Sequence, residues 1–250
     1  MRKLVGFLIV VLSFLELVVA QEISYKTVEN IHYYPEALQQ SDTYLASQAR
    51  LDIYYPEDKK DVPVIIWFHG GGLTGGSKEI PQALKNWGYC IVGVGYRLSP
   101  KVKASVCIED ATAAIAWTFK NIEAYNGDPK NIFVSGHSAG GYLALMSIMD
   151  KSRLAKYDIN ANDVAGLIPF SGHTITHFTI RAERGIPGEQ PIVDAYAPLY
   201  FVRNDAPPTL LITGDRELEM LGRYEENAYF YRMMKVAGQQ HIKQYEMQGY

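Results

Sequence analysis

Ser138 is the residue whose surroundings could do chemistry. It stands in Gly136-His137-Ser138-Ala139-Gly140. A serine hydroxyl attacks a carbonyl usefully only when a base takes its proton and the backbone presents it at a sharp, strained turn. The spacing supplies the turn: side chains two before and two after such a serine would collide, and glycine at 136 and 140 removes the collision. The pattern is weak by itself, so its flanks decide. Ile132 to Val134 is a short apolar, β-branched run, and Ala139 to Met149 is rich in Ala, Leu and Met. The stretch therefore predicts strand, turn, helix. The helix would aim its first N–H groups at the hydroxyl, where they favour developing negative charge.

A second motif, His69-Gly70-Gly71-Gly72, follows another buried-strand run, Val62 to Phe68 (VPVIIWF). Two motifs, each at the end of an apolar strand, call for a sheet that brings them together. Ile31 to Tyr34 and Arg50 to Tyr55 alternate and end at Pro35 and Pro56, which predicts an opening antiparallel pair. From Val62 onward, continuous apolar runs (62–68, 91–95, 132–134, 164–170, 210–212) alternate with helical stretches near 78–87, 108–123, 139–149 and 218–237, and Ile242 to Met247 closes the series. Strands buried on both faces and joined by crossover helices predict an α/β fold with a mostly parallel central sheet and helices on both faces. Ser171 to Pro198 has no clean period and leaves the carboxyl end of a strand, where α/β proteins place ligand-contacting loops; it is expected to form a small cap.

At 48% hydrophobic and 20% charged, with a net charge of -3, the chain fits one globular domain and carries no basic footprint for nucleic acid. Arg2 and Lys3, the apolar Leu4 to Leu15 and the small-residue ending Val18-Val19-Ala20 have the layout of a signal peptide cleaved before Gln21. The apolar stretch is short for a membrane span and Glu16 interrupts it. The expected organisation is a signal peptide over 1–20 and one domain over 21–250, exported to the periplasm or beyond, with no stable membrane insertion after cleavage. Cys90 opens a strand and Cys107 a helix following it, so the two are expected to stay apart as small buried residues.

HGGGLTGGSKE at 69–79, YRLSP at 96–100, Glu109-Asp110, GHSAGG at 136–141 and PPTLLITGD at 207–215 together resemble the α/β-hydrolase fold. The resemblance covers nearly all of the chain after the signal. It is strongest to the secreted carboxylesterases, including hormone-sensitive-lipase-like esterases and bacterial acetyl and feruloyl esterases of plant polysaccharides. It implies a serine esterase working through an acyl-enzyme without cofactor or metal, on small-molecule or oligosaccharide esters. Ser138 is then the nucleophile, and the backbone N–H groups of Gly71, Gly72 and Ala139 form the oxyanion hole. For the acid, the family places a carboxylate three residues beyond the glycine ending the penultimate parallel strand. Counting from Gly214 gives Glu217, with Asp215 in the same turn as the alternative.

The resemblance also places the base, a histidine, in the loop after the last strand. Here His241 precedes that strand and belongs at the opposite sheet edge; His137 is expected to pack beside the turn, His69 to brace the glycine loop, and His173 and His177 to line the cleft from the cap. The base is accordingly expected beyond residue 250, with the histidine loop and a closing helix outside the sequence. Two rival readings are a non-catalytic binding protein on the same scaffold and a serine peptidase or amidase. No His, Cys and carboxylate cluster has metal-ligand spacing, and Gly93-Val94-Gly95 lacks the third glycine of a dinucleotide site.

Overall fold

The computed structural model describes residues 23–250 apart from residue 221, so the expected signal peptide lies outside the described residues. In chain order the elements are β1 (Tyr25–His32), α1 (Glu36–Ser41), α2 (Thr43–Gln48), β2 (Arg50–Pro56), β3 (Val62–Phe68), β4 (Cys90–Val94), α3 (Ala104–Asn121), β5 (Gly127–His137), α4 (Ala139–Met149), α5 (Lys151–Ala155), β6 (Gly166–Phe170), α6 (Phe178–Glu183), β7 (Thr209–Gly214), α7 (Arg223–Val236) and β8 (Ile242–Met247). The strands form one sheet in the order β1-β2-β4-β3-β5-β6-β7-β8. Only the β1–β2 and β2–β4 ladders are antiparallel; β4 to β8 run parallel. This is the mostly parallel α/β architecture that the apolar runs predict.

Burial follows the sequence pattern. All of β4 is buried, and β3 is buried at every position but Pro63 and Ile65, as continuous apolar runs require. Every residue of α4 is buried, which matches a helix apolar all round and wedged between the sheet and α3. Contact between α3 and α4 is made close by alanines and by the Thr112 to Ser147 hydroxyl pair at 3.3 Å. Cys90 and Cys107 are both free and fully buried.

One expected helix is missing. Residues 78–87 hold only a single 3₁₀ turn, Gln82–Leu84. Pro81 has no N–H to continue a helix, and Asn86 (φ 67°) and Gly88 (φ 84°) turn left-handed and stop it. The preceding residues lie across the sheet instead: a methyl on Gly93 would overlap the Glu79 carbonyl, and Trp67 Nε1 donates to Glu79 Oε1 at 3.1 Å. The last helix also begins later than the sequence pattern suggests, at Arg223 rather than 218, because residues 215–220 form turns.

Candidate active site

Parallel ladders bring the ends of β3, β5 and β6 to one edge, with Phe68 opposite Gly136 and His137 opposite Phe170. Ser138 emerges there. Its backbone is left-handed, φ 53° and ψ -116°, a conformation that costs a non-glycine residue roughly 1–3 kcal/mol and persists only where the surroundings enforce it. The enforcement is visible. Ser138 N–H donates to Phe170 C=O at 2.8 Å, and its own carbonyl accepts from Tyr142 N–H at 3.0 Å. A methyl on Gly140 would overlap the Phe68 carbonyl, and one on Gly136 would sit 2.6 Å from the Gly140 carbonyl carbon. Both glycines are therefore demanded by close backbone approach.

The glycine loop lies against this turn: a Cβ on Gly70 would stand 3.5 Å from Ser138 Cβ. In a planar trans peptide the C=O and the next N–H point opposite ways, so an anchored carbonyl aims the following amide. Gly70 C=O is anchored by His69 Nδ1 at 2.7 Å, which turns Gly71 N–H the other way. Gly71 C=O accepts from Thr74 and Gly75 N–H at 3.0 and 2.9 Å, which does the same for Gly72 N–H. The Ser138 carbonyl, held by Tyr142, leaves Ala139 N–H at the open end of α4. None of these amides meets an acceptor among the described residues. His69 is buried and stacked on Tyr96 at 4.2 Å; burial lowers its pKa against the pull of Gly70 C=O and Glu79, so it braces the loop as a neutral ring. His137 is exposed beside the turn, its ring nitrogen 3.3 Å from the Cβ position of Gly70.

The turn after β7 holds the candidate acids. Glu217 is exposed, and its side chain makes no hydrogen bond among the described residues. Asp215 accepts from Glu217 N–H at 2.9 Å and from Gly249 N–H at 3.0 Å, and these backbone donors hold its pKa below the usual value. Asp215 N–H donates in turn to Tyr250 C=O at 2.8 Å, so the residues leaving β8 fold back onto this turn. Sequence reasoning passed over Glu219. Its Oε1 accepts from Gly214 N–H at 2.6 Å and from the Ser171 hydroxyl, while Oε2 is buried without a partner among the described residues. The Glu-Leu-Glu spelling at 217–219 contained the signal, but only the fold distinguishes the inward glutamate from the outward one.

A buried charge cluster ties the cap to α7, also unforeseen. Arg223 donates to Glu226 Oε1 at 2.8 Å, to His173 Nε2 at 2.7 Å and to Ser171 C=O, and Glu226 Oε2 accepts from Thr174 and Ile175 N–H at 3.2 Å. His173 Nδ1 lies 2.8 Å from Glu226 Oε1, close but off the line of a well-directed hydrogen bond. Burial lowers the His173 pKa in spite of that carboxylate, so the ring is neutral, its Nδ1 hydrogen toward Glu226 and Nε2 accepting from Arg223. Burial opposes ionisation of Glu226 as well, but His173 and Arg223 win and keep it ionised. His177 caps α6 through Nδ1, accepting from Thr179 N–H at 3.2 Å, and burial together with His173, Arg223 and Arg181 pushes its pKa well down. Both rings are thus committed to the cap's structure.

The cap reaches the glycine loop: Thr179 Oγ1 donates to Gly72 C=O at 2.5 Å, and the Phe178 ring would lie 3.2 Å from a Cβ on Gly72. Between cap and α7 lies a cleft of about 640 Å³ walled by Ile175, Phe178, Pro191 and Met220, with Arg181 and Glu225 among its polar lining. His241 is far from this edge. Its carbonyl accepts from Thr209 N–H at the start of β7, the opposite end of the strand from Gly214. His32 belongs to β1.

The BD-FAE family profile matches residues 51–220. Among curated proteins, esterase LipQ of Mycobacterium tuberculosis is 28% identical over 195 residues, 67% of this chain and 45% of LipQ. The chain spans less than half the length of the first curated relatives it matches. Esterase 2 of Thermogutta terrifontis, solved phosphonylated by cyclosarin, superposes with a TM-score of 0.64 at 26% identity, covering 80% of this chain and 78% of that one. A truncated carbohydrate esterase from gut microbiota shares the fold at a TM-score of 0.69 and 19% identity, covering 92% and 88%.

Proposed function

The chain belongs to the BD-FAE family and has the α/β-hydrolase fold, and from that premise we propose that it is a serine carboxylesterase acting through an acyl-enzyme. The observation that carries this reading is the strained Ser138 standing beside three backbone amides whose peptide carbonyls are tied elsewhere. Ser138 Oγ bonds to the ester carbonyl carbon as its proton passes to a histidine base. The carbonyl oxygen takes up negative charge against Gly71, Gly72 and Ala139 N–H. Collapse of the tetrahedral species expels the alcohol, protonated by the same imidazole, and water then releases the acid by the reverse sequence. Each amide that meets the oxyanion contributes on the order of 3 kcal/mol of transition-state stabilisation.

The base is proposed to come from the loop after β8. The fold-back of Gly249 and Tyr250 onto Asp215 supports this, since it directs that loop toward the edge carrying Ser138. The acid belongs to the turn after β7. Substrates are proposed to be acetyl or feruloyl esters of carbohydrates, met outside the cytoplasm. The cleft between cap and α7, with Ile175, Phe178, Pro191 and Met220 beside Glu189 and Glu225, approaches the glycine loop through Phe178 at Gly72, and this mixed lining suits an aromatic or short acyl group joined to a hydroxyl-rich alcohol. Ser138→Ala tests the core of the proposal: hydrolysis of p-nitrophenyl acetate should fall at least about 10³-fold with the melting temperature unchanged. Turnover that persists in the variant removes the nucleophile and the reading with it. Relative rates on acetylated and feruloylated oligosaccharides, against simple alkyl esters, test the substrate class.

A further inference from the structure

The cap carries a buried cation that no carboxylate answers. Arg97, Arg153, Arg203 and Arg223 are also largely withdrawn from water, and each has an Asp or Glu oxygen within 3.2 Å. Arg181, on α6, is only 5% exposed and meets no such oxygen among the described residues. Its Nη1 donates to Gly188 C=O at 2.6 Å and to Gln190 C=O at 2.5 Å, which ties down the cap loop through neutral acceptors. Nε is buried without a partner, and Nη2, which is not enclosed, makes no hydrogen bond among the described residues. Holding a loop asks for two donors and no charge, whereas a guanidinium withdrawn from water with its charge unanswered is costly. Arg181 lines the cleft between cap and α7, so the unanswered charge borders open space rather than packed atoms. Of the carboxylates lining the same cleft, Glu226 is taken up by Arg223 and His173, and Glu189 and Glu225 are exposed, where water and salt screen them.

We infer that Arg181 determines specificity in this cleft by receiving a carboxylate carried by the ester substrate. The inference rests on the serine-esterase reading above and narrows its substrates to esters that bear a carboxylate. Nε and Nη2 share one edge of the planar guanidinium, the edge that matches a carboxylate in shape and charge, and Nη2 is the donor of that edge that stands open. The apolar walls, Ile175, Phe178, Pro191 and Met220, displace water from around the pair and strengthen it. Arg181 is also fixed relative to the reacting centre. Thr179 Oγ1 on the same short helix donates to Gly72 C=O, and Phe178 rests against Gly72, so α6 is tied to the proposed oxyanion loop.

Two pairs of esters, one member of each pair charged and one neutral, test the inference through kcat/KM. In 4-acetoxybenzoate against 4-acetoxybenzamide the carboxylate sits on the alcohol side; in mono-4-nitrophenyl glutarate against 4-nitrophenyl pentanoate it sits on the acyl side. The parent protein should prefer the charged member of one pair by about tenfold or more, and which pair shows the preference tells which side of the ester Arg181 reads. Arg181→Gln should lower that charged-to-neutral ratio by about 10–100-fold, and Arg181→Lys, which keeps the charge and loses the fork, should fall between. A displaced cap loop would slow both members of a pair alike, so an unchanged ratio in Arg181→Gln overturns the inference, as does a parent protein that prefers the neutral member of both pairs. Should Arg181→Gln fail to fold, calorimetry on the parent protein decides: benzoate should bind at least about tenfold tighter than benzamide, with the difference shrinking as salt is raised, and equal binding refutes the inference. A protein that selects benzoate in this way but neither hydrolyses an ester nor reacts at Ser138 with a fluorophosphonate overturns the esterase reading and leaves Arg181 as a carboxylate receptor.

Discussion

At the scale of single residues, the site depends on backbone conformations that side chains would forbid. Gly71 has φ 113° and a Cβ there would overlap the Gly75 carbonyl, so Gly71→Ala must displace the very amide proposed to meet the oxyanion. The expected outcome is a kcat lower by about 10²–10³-fold with KM little affected, measured on an activated acetate ester. Gly140→Ala acts differently. The new methyl would meet the Phe68 carbonyl, so the strand-to-helix turn must shift, at about 1–3 kcal/mol of stability in a chemical denaturation curve. These positions were legible in the sequence because glycine at a fixed offset from serine answers a steric demand that a side chain cannot meet. Glu219 was not, since a glutamate in a Glu-Leu-Glu run shows its direction only when the turn is built.

At the scale of elements, the cap and α7 are joined by a buried neutral histidine pair rather than by apolar packing alone. His173 and His177 both have pKa values lowered by burial from the ordinary 6.5. The groups facing them are Glu226, Arg223 and Arg181. In the unfolded chain each ring takes a proton near pH 6.5, whereas in the folded protein it resists, so the unfolded state binds more protons as pH falls and stability is lost. Thermal melts should show the melting temperature declining from about pH 6.5 downward, before the carboxylates titrate. His177→Phe should flatten that slope, while a slope unchanged in this variant would remove His177 from the account. The sequence marked 171–198 as a cap from its lack of period; the ion cluster beneath it needed α7 brought alongside from fifty residues away.

At the scale of the molecule, Asp110 joins segments far apart in sequence. It is fully buried and accepts from Arg97 N–H and Nε at 2.9 Å, from Arg97 Nη2 at 2.7 Å and from Tyr34 OH at 2.8 Å. The chain after β1, the chain after β4 and helix α3 thereby meet at one carboxylate. Asp110→Asn leaves a guanidinium half-paired in a largely dry site, and unfolding in urea should show a loss of about 3–5 kcal/mol. Replacing Arg97 and Asp110 together by Met and Leu should cost less than the single change, because no unpaired charge remains. Equal losses in the single and double variants would show that packing, not charge, governs this junction.

The order of apolar runs and the two glycine motifs determined the parallel sheet, the position of Ser138 at its edge and the amides beside it, because period and glycine spacing are local properties that the backbone must obey. The failed helix at 78–87 shows the limit of local pattern: the Glu79 carbonyl packs against Gly93 of β4, a contact between loop and strand that exists only once the sheet is built. Only the tertiary structure decided which carboxylate after β7 is sheltered and which histidines serve the cap. A side chain's protonation and partners are set by neighbours that folding brings from elsewhere, and no spacing along the chain records them.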